Sequence, residues 1–273
     1  GIVDLGVQLK GDLSIHAVAD EECFGRYGTR FLVEKGYISR NMADMAIVGE
    51  GSVYKGHIYA RTAVRGRHII RITTKGKAAH SSSPELGINA VLKMGKVLQS
   101  LNEHQFIFPR HRLLPDPTIA PGTLIEGGTK DNIIPEKCIS TSDLRTVPGM
   151  DSQKIIEEIR GKINDLKHED PELDAEAEIF LEKPPSEISP EEEVFKLANL
   201  AVKKVVGYEL KPRGTSGSND TSWLTNLANI LSMALGPGGG NAHGADEWVE
   251  VKSLMDFAKI YGLMFMNACG ARI

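Results

Sequence analysis

The sequence predicts an α/β fold interrupted by an α+β domain of the split βαβ (ferredoxin-like) kind. Three observations carry this. Short apolar runs alternate with helical periodicity at both ends of the chain, the middle follows a β-α-β-β-α-β order, and Lys183-Pro184-Pro185 breaks the pattern before α/β character returns. Residues 1–65 and 184–273 are therefore expected to form one domain, with residues 66–183 inserted into it. The 273 residues suffice for one large or two ordinary domains, and 41% hydrophobic with 25% charged residues excludes wholesale disorder.

Residues 13–19, Leu-Ser-Ile-His-Ala-Val-Ala, read as a buried strand bounded by Gly11-Asp12 and by Asp20-Glu21-Glu22. Residues 27–35 carry Phe31, Leu32 and Val33 and stop at Gly36, which predicts a short helix. Residues 45–48 read as a second strand, so the first 50 residues suggest a parallel βαβ unit, whose ligands gather at the carboxyl ends of its strands. In the insert, residues 68–74 are β-rich, and residues 87–101 are helical through Ile88, Val91, Leu92, Val97, Leu98 and Leu101. Residues 118–125 and 137–145 are strands, 152–166 an amphipathic helix, and 175–181 a last strand. A helix over 191–206, a buried strand over 230–235 and a closing helix over 251–266 complete the chain.

A net charge of −4 with no Lys/Arg block argues against a nucleic-acid partner. Cys23, Cys138 and Cys269 are odd in number and far apart, which excludes a cysteine zinc site and suits a reducing cytoplasm. No apolar run approaches the roughly 18 residues of a membrane helix, and residues 1–4 lack the pattern of a signal peptide.

Chemistry concentrates in three places. Glu21 and Glu22 are adjacent, Glu50 follows the apolar run ending at Val48, and His243 lies in the glycine-rich stretch 236–244. Carboxylate and imidazole are the ligands of hydrolytic zinc or manganese sites, and a spare carboxylate beside a ligand suits activation of water. Many glycines let backbone approach a site closely, whereas no GxxxxGK[ST] supports a phosphate cradle. Taken singly, Glu21, Glu22 and Glu50 are equally well solvated loop carboxylates.

Together, seven segments in order resemble the M20 family of metallopeptidases and amidohydrolases. They are Ala19-Asp20-Glu21-Glu22, Ile47-Val48-Gly49-Glu50, the stretch 76–84 around His80, the stretch 127–135 around Asn132, Asp143-Leu144-Arg145, Gly217-Ser218-Asn219-Asp220 and the stretch 242–247 that contains His243. The resemblance implies a metallopeptidase-type catalytic domain with an inserted lid and dimerisation domain. It implies Glu21 as general base, Glu22 and Glu50 as ligands of two separate metals, and His243 as terminal ligand to the metal that partners the Glu22 side. His80 is implied to polarise the scissile carbonyl, commonly in the partner subunit's site, with Asn132, Arg145, Gly217 and Ser218 as substrate-binding groups. Two divalent ions follow, Zn2+ first and Co2+ or Mn2+ as alternatives, with a small N-acyl amino acid or peptide as substrate in a cytoplasmic homodimer.

The family's His-x-Asp motif and its metal-bridging Asp are absent upstream of Glu21, and Ser222 stands where the family often has Arg. The sequence is therefore expected to omit an N-terminal portion of the protein, and this chain alone to be metal-poor and inactive. The leading function is hydrolysis of the amide bond of an N-acyl amino acid, the next a dipeptidase or carboxypeptidase. From another class stands a metal-free binding or scaffold protein on the same fold.

Overall fold

A computed structural model describes residue 4 and residues 6–272 of the chain; the reading of residues 1–3 as no leader falls outside the described residues. In chain order the elements are β1 (Gln8–Leu9), α1 (Thr29–Glu34), β2 (Met45–Val48), β3 (Val53–Tyr54), β4 (His57–Val64), β5 (Gly66–Lys75), α2 (Ala90–Glu103), β6 (Thr118–Gly127), β7 (Lys137–Thr146) and α3 (Ser152–Glu169). They continue with β8 (Asp174–Lys183), β9 (Ser186–Glu187), α4 (Glu193–Val206), β10 (Lys211–Thr215), α5 (Thr221–Asn226), β11 (Leu231–Ala234), β12 (Gly239–Gly240), β13 (Trp248–Val249), α6 (Val251–Ala268) and β14 (Ala271–Arg272). The chain divides into two compact units. One takes the residues up to Arg65, Arg112–Leu114 and those from Pro185 onward, and the other Gly66–His111 with Pro115–Pro184.

The second unit is an antiparallel sheet in the order β6-β7-β5-β8, with α2 and α3 packed on it. Strict alternation explains which face is covered. His68, Ile70, Ile72 and Thr74 of β5 and Cys138, Ser140, Ser142, Leu144 and Thr146 of β7 are all buried. Ala90, Met94, Val97 and Leu101 of α2 and Ile155, Ile156, Ile159 and Ile163 of α3 supply the facing stripe at three- and four-residue spacing. Both helices start on a side-chain cap. Asn89 accepts from the Val91 and Leu92 amides, and Asp151 accepts from the Gln153 amide.

The first unit is built on the sheet β10-β4-β11-β2, in which β10 runs parallel to β4 and β11 parallel to β2. β2 is apolar throughout because both its faces are covered. Met45 and Ile47 pack with α4 and α6, whereas Ala46 and Val48 pack with Leu224, Ile230 and Ile38. The helix expected over 27–35 is α1, and Gly36 in the left-handed region (φ 76°) ends it.

One expected element is absent. Residues 13–19 form no strand, and Leu13, Ile15 and Val18 are exposed, Ile15 by 82%. A strand needs a neighbour for its backbone groups and a layer over its apolar face. Among the described residues, β2 gives its ladder to β11, and residues 13–19 find neither. Their segment is tied down at its start, where Gly11 donates its amide to the Cys269 carbonyl at the end of α6. The parallel βαβ unit expected from 13–19 and 45–48 is therefore replaced by the parallel pair β2 and β11.

Candidate hydrolytic site

Glu21 and Glu22 lie not at a strand end but on a single 3-10 turn, Glu21–Cys23, flanked by Asp20 (φ 66°) and Phe24 (φ 70°) in the left-handed region. The loop around the turn is held from both sides. Asp20 Oδ2 accepts from the Tyr27 amide at 2.9 Å, and the Gly25 amide donates to the Asp20 carbonyl at 2.7 Å. Gly25 (φ 62°) lies against Trp223, where a Cβ would come within 3.1 Å of Nε1, so only glycine fits both the backbone and the space.

The glycine-rich loop reaches the same turn. Gly236 sits so close to Glu50 that a Cβ would meet the Glu50 carbonyl at 2.6 Å. Gly239 and Gly240 pair with Trp248 and Val249 as β12 and β13. Asn241 and His243 then adopt the left-handed conformation (φ 59° and 64°). This brings His243 Nε2 to 3.4 Å from Glu22 Oε1, with the two side chains 73% and 71% exposed. His243 therefore faces Glu22 itself. The resemblance implies His243 as ligand to the metal that partners the Glu22 side; the pairing seen here sets its ring beside Glu22.

Glu50 stands just past β2, where its amide donates to the Val48 carbonyl. Its Oε2 accepts from Arg61 Nη1 and from Asn219 Nδ2, both at 3.0 Å. Asn219 is fully buried, and its Oδ1 accepts from the Thr221 amide and hydroxyl at 3.1 and 2.6 Å. Gly217 is exposed and Ser218 half-buried at the head of this turn.

In the other unit, His80 is exposed, and its residue bridges to Ile133. The Ser81 amide donates to the Asn132 carbonyl, so His80 and Asn132 lie on two paired loops. The Ser82 amide donates to His80 Nδ1 at 3.1 Å, so a neutral ring carries its proton on Nε2 and offers that N–H as a donor. Arg145 grips Asp143 through Nε at 2.5 Å and Nη2 at 3.2 Å, and Arg67 Nε reaches the same carboxylate at 3.0 Å. Two guanidiniums thus share one carboxylate, and the planar donors of Arg145 are of the kind that hold an anionic substrate group.

One unit thus holds a Glu22–His243 pair and an anchored Glu50, and the other a His80–Asn132 loop pair. Among the described residues, no group of three or more His, Cys, Asp or Glu side chains could hold a metal ion. Catalytic zinc takes three protein ligands. The Glu22–His243 pair fits a divalent ion in the kind of donor and falls short in number.

Sequence reasoning missed Arg61, Arg67 and the roles of Asn219 and Asp143. Asp143 was findable, because residues i and i+2 of a strand share a face and the Asp-Leu-Arg spacing puts the opposite charges together. Arg61 lies in β4, a strand that was not read.

Residues 62–171 match the model of the peptidase dimerisation domain, M20_dimer. An N-formyl-4-amino-5-aminomethyl-2-methylpyrimidine deformylase of Halalkalibacterium halodurans is 26% identical over 97% of this chain and 66% of its own length. An acetylornithine deacetylase of Myxococcus xanthus is 26% identical over 97% of this chain and 67% of its own. The chain thus spans about two thirds of the length of these relatives. The fold is that of a tripeptidase from Staphylococcus aureus, with a TM-score of 0.68 at 20% identity over 92% of this chain and 62% of that one. Residues 62–171 thus belong to the M20 peptidase dimerisation domain, and the chain as a whole is similar to M20 metallopeptidases and amidohydrolases in sequence and in fold.

Proposed function

We propose that the chain carries part of the centre of a zinc-dependent hydrolase that cleaves the amide bond of N-acyl amino acids, as a homodimer in the cytoplasm. The observation that carries this reading is the pairing of Glu22 with His243, brought together from positions 221 residues apart by the glycine loop. The names of the relatives, a deacetylase and a deformylase, support removal of a small acyl group. The matched dimerisation domain supports two copies. No helix among the described residues is long and apolar enough to cross a membrane.

Glu22 and His243 would hold one divalent ion and Glu50 a second, the remaining donors lying outside this set. When bound, such ions polarise the amide carbonyl and acidify the attacking water. Glu21, adjacent to Glu22 on the same turn, accepts the water proton and returns it to the departing amine. His80 of one copy would offer its Nε2–H to the carbonyl oxygen in the site of the other copy as negative charge develops there, and a donor in that role is worth about 2.7–4 kcal/mol of the barrier. Arg145, already turned by Asp143, and Asn132 bind the carboxylate of the amino acid.

The test uses the whole protein with N-acetylornithine, N-succinyl-diaminopimelate, an N-formyl amine and simple dipeptides as substrates. Glu21→Ala is expected to abolish turnover and keep zinc, whereas His243→Ala loses zinc and turnover together. Near-normal activity in Glu21→Ala would refute the base assignment, and a preference for dipeptides would move the protein to the peptidase branch. The shortfall in ligands favours one rival, a metal-free binding protein, which the whole protein showing neither bound metal in elemental analysis nor turnover of any of these substrates would establish.

A further inference from the structure

We infer that the turn carrying Asn219 and Asp220 is a brace that sets the spacing between the two carboxylate-bearing segments, making both residues positioning residues. This rests on the reading of Glu22 and Glu50 as metal ligands. The two side chains are consecutive in sequence, both buried, and each reaches a different segment.

Asn219 serves the Glu50 side. Its Oδ1 takes two donors from Thr221, so the amide has one orientation only, with Nδ2 directed at Glu50 Oε2. The Thr221 hydroxyl spends its proton on Asn219 and thus accepts from Ser186 Oγ at 3.0 Å. Donation therefore runs one way, from Ser186 to Thr221 to Asn219 to the carboxylate. Each bond in such a chain polarises the next, and a reversed amide would set oxygen against oxygen.

Asp220 serves the Glu21–Glu22 side. Its Oδ2 accepts from the hydroxyl of buried Thr29 at 2.5 Å. Thr29 opens α1 directly after the loop that bears the Glu21–Cys23 turn. A Cβ on Gly25 of that loop would come within 3.3 Å of Asp220 Oδ1, so the loop lies in contact with the brace as well as tethered to it.

Two measurements test the brace. On the whole protein, zinc affinity is measured by competition with a chelator. Asn219→Ala and Thr29→Val are each expected to weaken binding about 10–100-fold, as removal of groups behind metal ligands does, while Thr29→Ser, which keeps the hydroxyl, stays within a few fold of wild type. Unchanged affinity in Asn219→Ala and Thr29→Val would overturn the inference, as would a fall only in unfolding midpoint. On the metal-free protein, hydrogen exchange of the Asn219 side-chain amide is followed by 15N NMR. Slow exchange that accelerates at least about tenfold in Glu50→Ala supports the brace; exchange in wild type at the rate of an exposed amide overturns it. A wild-type protein that binds no zinc would refute the functional reading, and the exchange experiment would still decide the brace.

Discussion

Asp170, at the end of α3, offers a perturbation whose size can be worked out from its surroundings. Lys93 Nζ lies 2.7 Å from both its carboxylate oxygens and Lys96 Nζ 2.6 Å from one of them. Hydrogen bonds from these two lysines hold the carboxyl down at about 2, against an ordinary value of 3.8. At 1.36 kcal/mol per pH unit the difference sets a ceiling of about 2.4 kcal/mol. Lys96 is 57% exposed, and solvent screening reduces the expected contribution to about 1–2 kcal/mol. A carboxyl depressed in the folded state stabilises fully above its unfolded value, and loses that contribution as pH falls through the folded one. Asp170→Asn is therefore expected to cost about 1–2 kcal/mol at pH 7 and to converge on wild type between pH 3.8 and about 2. Urea unfolding at pH 7, 4 and 2.5, with equal slopes in denaturant, measures this. A cost that is the same at all three pH values would show that the loss comes from packing or from the helix end, and would refute the electrostatic account.

Two further outcomes follow from groups whose protonation the fold controls. His68 is buried, and burial lowers its value from 6.5 against the opposing pull of Glu182 and Asp143, with Nε2 bonded to Thr146 Oγ1 at 3.0 Å. The unfolded chain takes up a proton below pH 6.5 that the folded one refuses, so stability is complete above 6.5 and declines below it; His68→Gln should flatten the slope of urea midpoints between pH 7 and 5, and an unchanged slope would remove His68 as its source. Burial pushes the Tyr261 phenol up to about 12, and its hydroxyl donates to the Leu235 carbonyl at 2.5 Å, just before Gly236. Tyr261→Phe leaves that carbonyl without its phenol donor and is expected to cost about 1–3 kcal/mol and to remove an absorbance titration step near pH 12, a step whose persistence would contradict the assignment.

The inserted unit was legible because its sequence states its own periodicity. β5 and β7 alternate without a break, and Met94, Val97 and Leu101 mark a helix face, so local pattern and final burial agree. The other unit was read less well for two physical reasons. Residues 13–19 have strand composition, yet pairing is a property of two segments, and no composition reveals whether a partner is present. β4 was overlooked for the opposite reason. Its sequence, His-Ile-Tyr-Ala-Arg-Thr-Ala-Val, mixes small and polar residues because β10, β11, β3 and β9 all pair with it and hold it in place.

The site divides along the same line. Glu21, Glu22, Glu50 and His243 stand out by residue type, because metal chemistry admits few side chains, and the resemblance is what gives each a role. Their supports do not, since hydrogen-bond partners such as Arg61 and Asn219 become specific only when distant segments meet. The structure also assigns the named residues unequal freedom. Glu50 is fixed by two donors on one oxygen, one of them from a fully buried amide, so its direction is settled before any ion arrives. Glu22 and His243 are about three-quarters exposed and meet at 3.4 Å, a pair that surface energetics alone would barely hold. On the proposed assignment, an ion at Glu50 would meet a rigid ligand, and an ion between Glu22 and His243 two adaptable ones. Affinity should then depend on the left-handed backbone at Asn241 and on the loop packed under Gly25, positions where a change touches no ligand atom and still alters how the exposed pair closes.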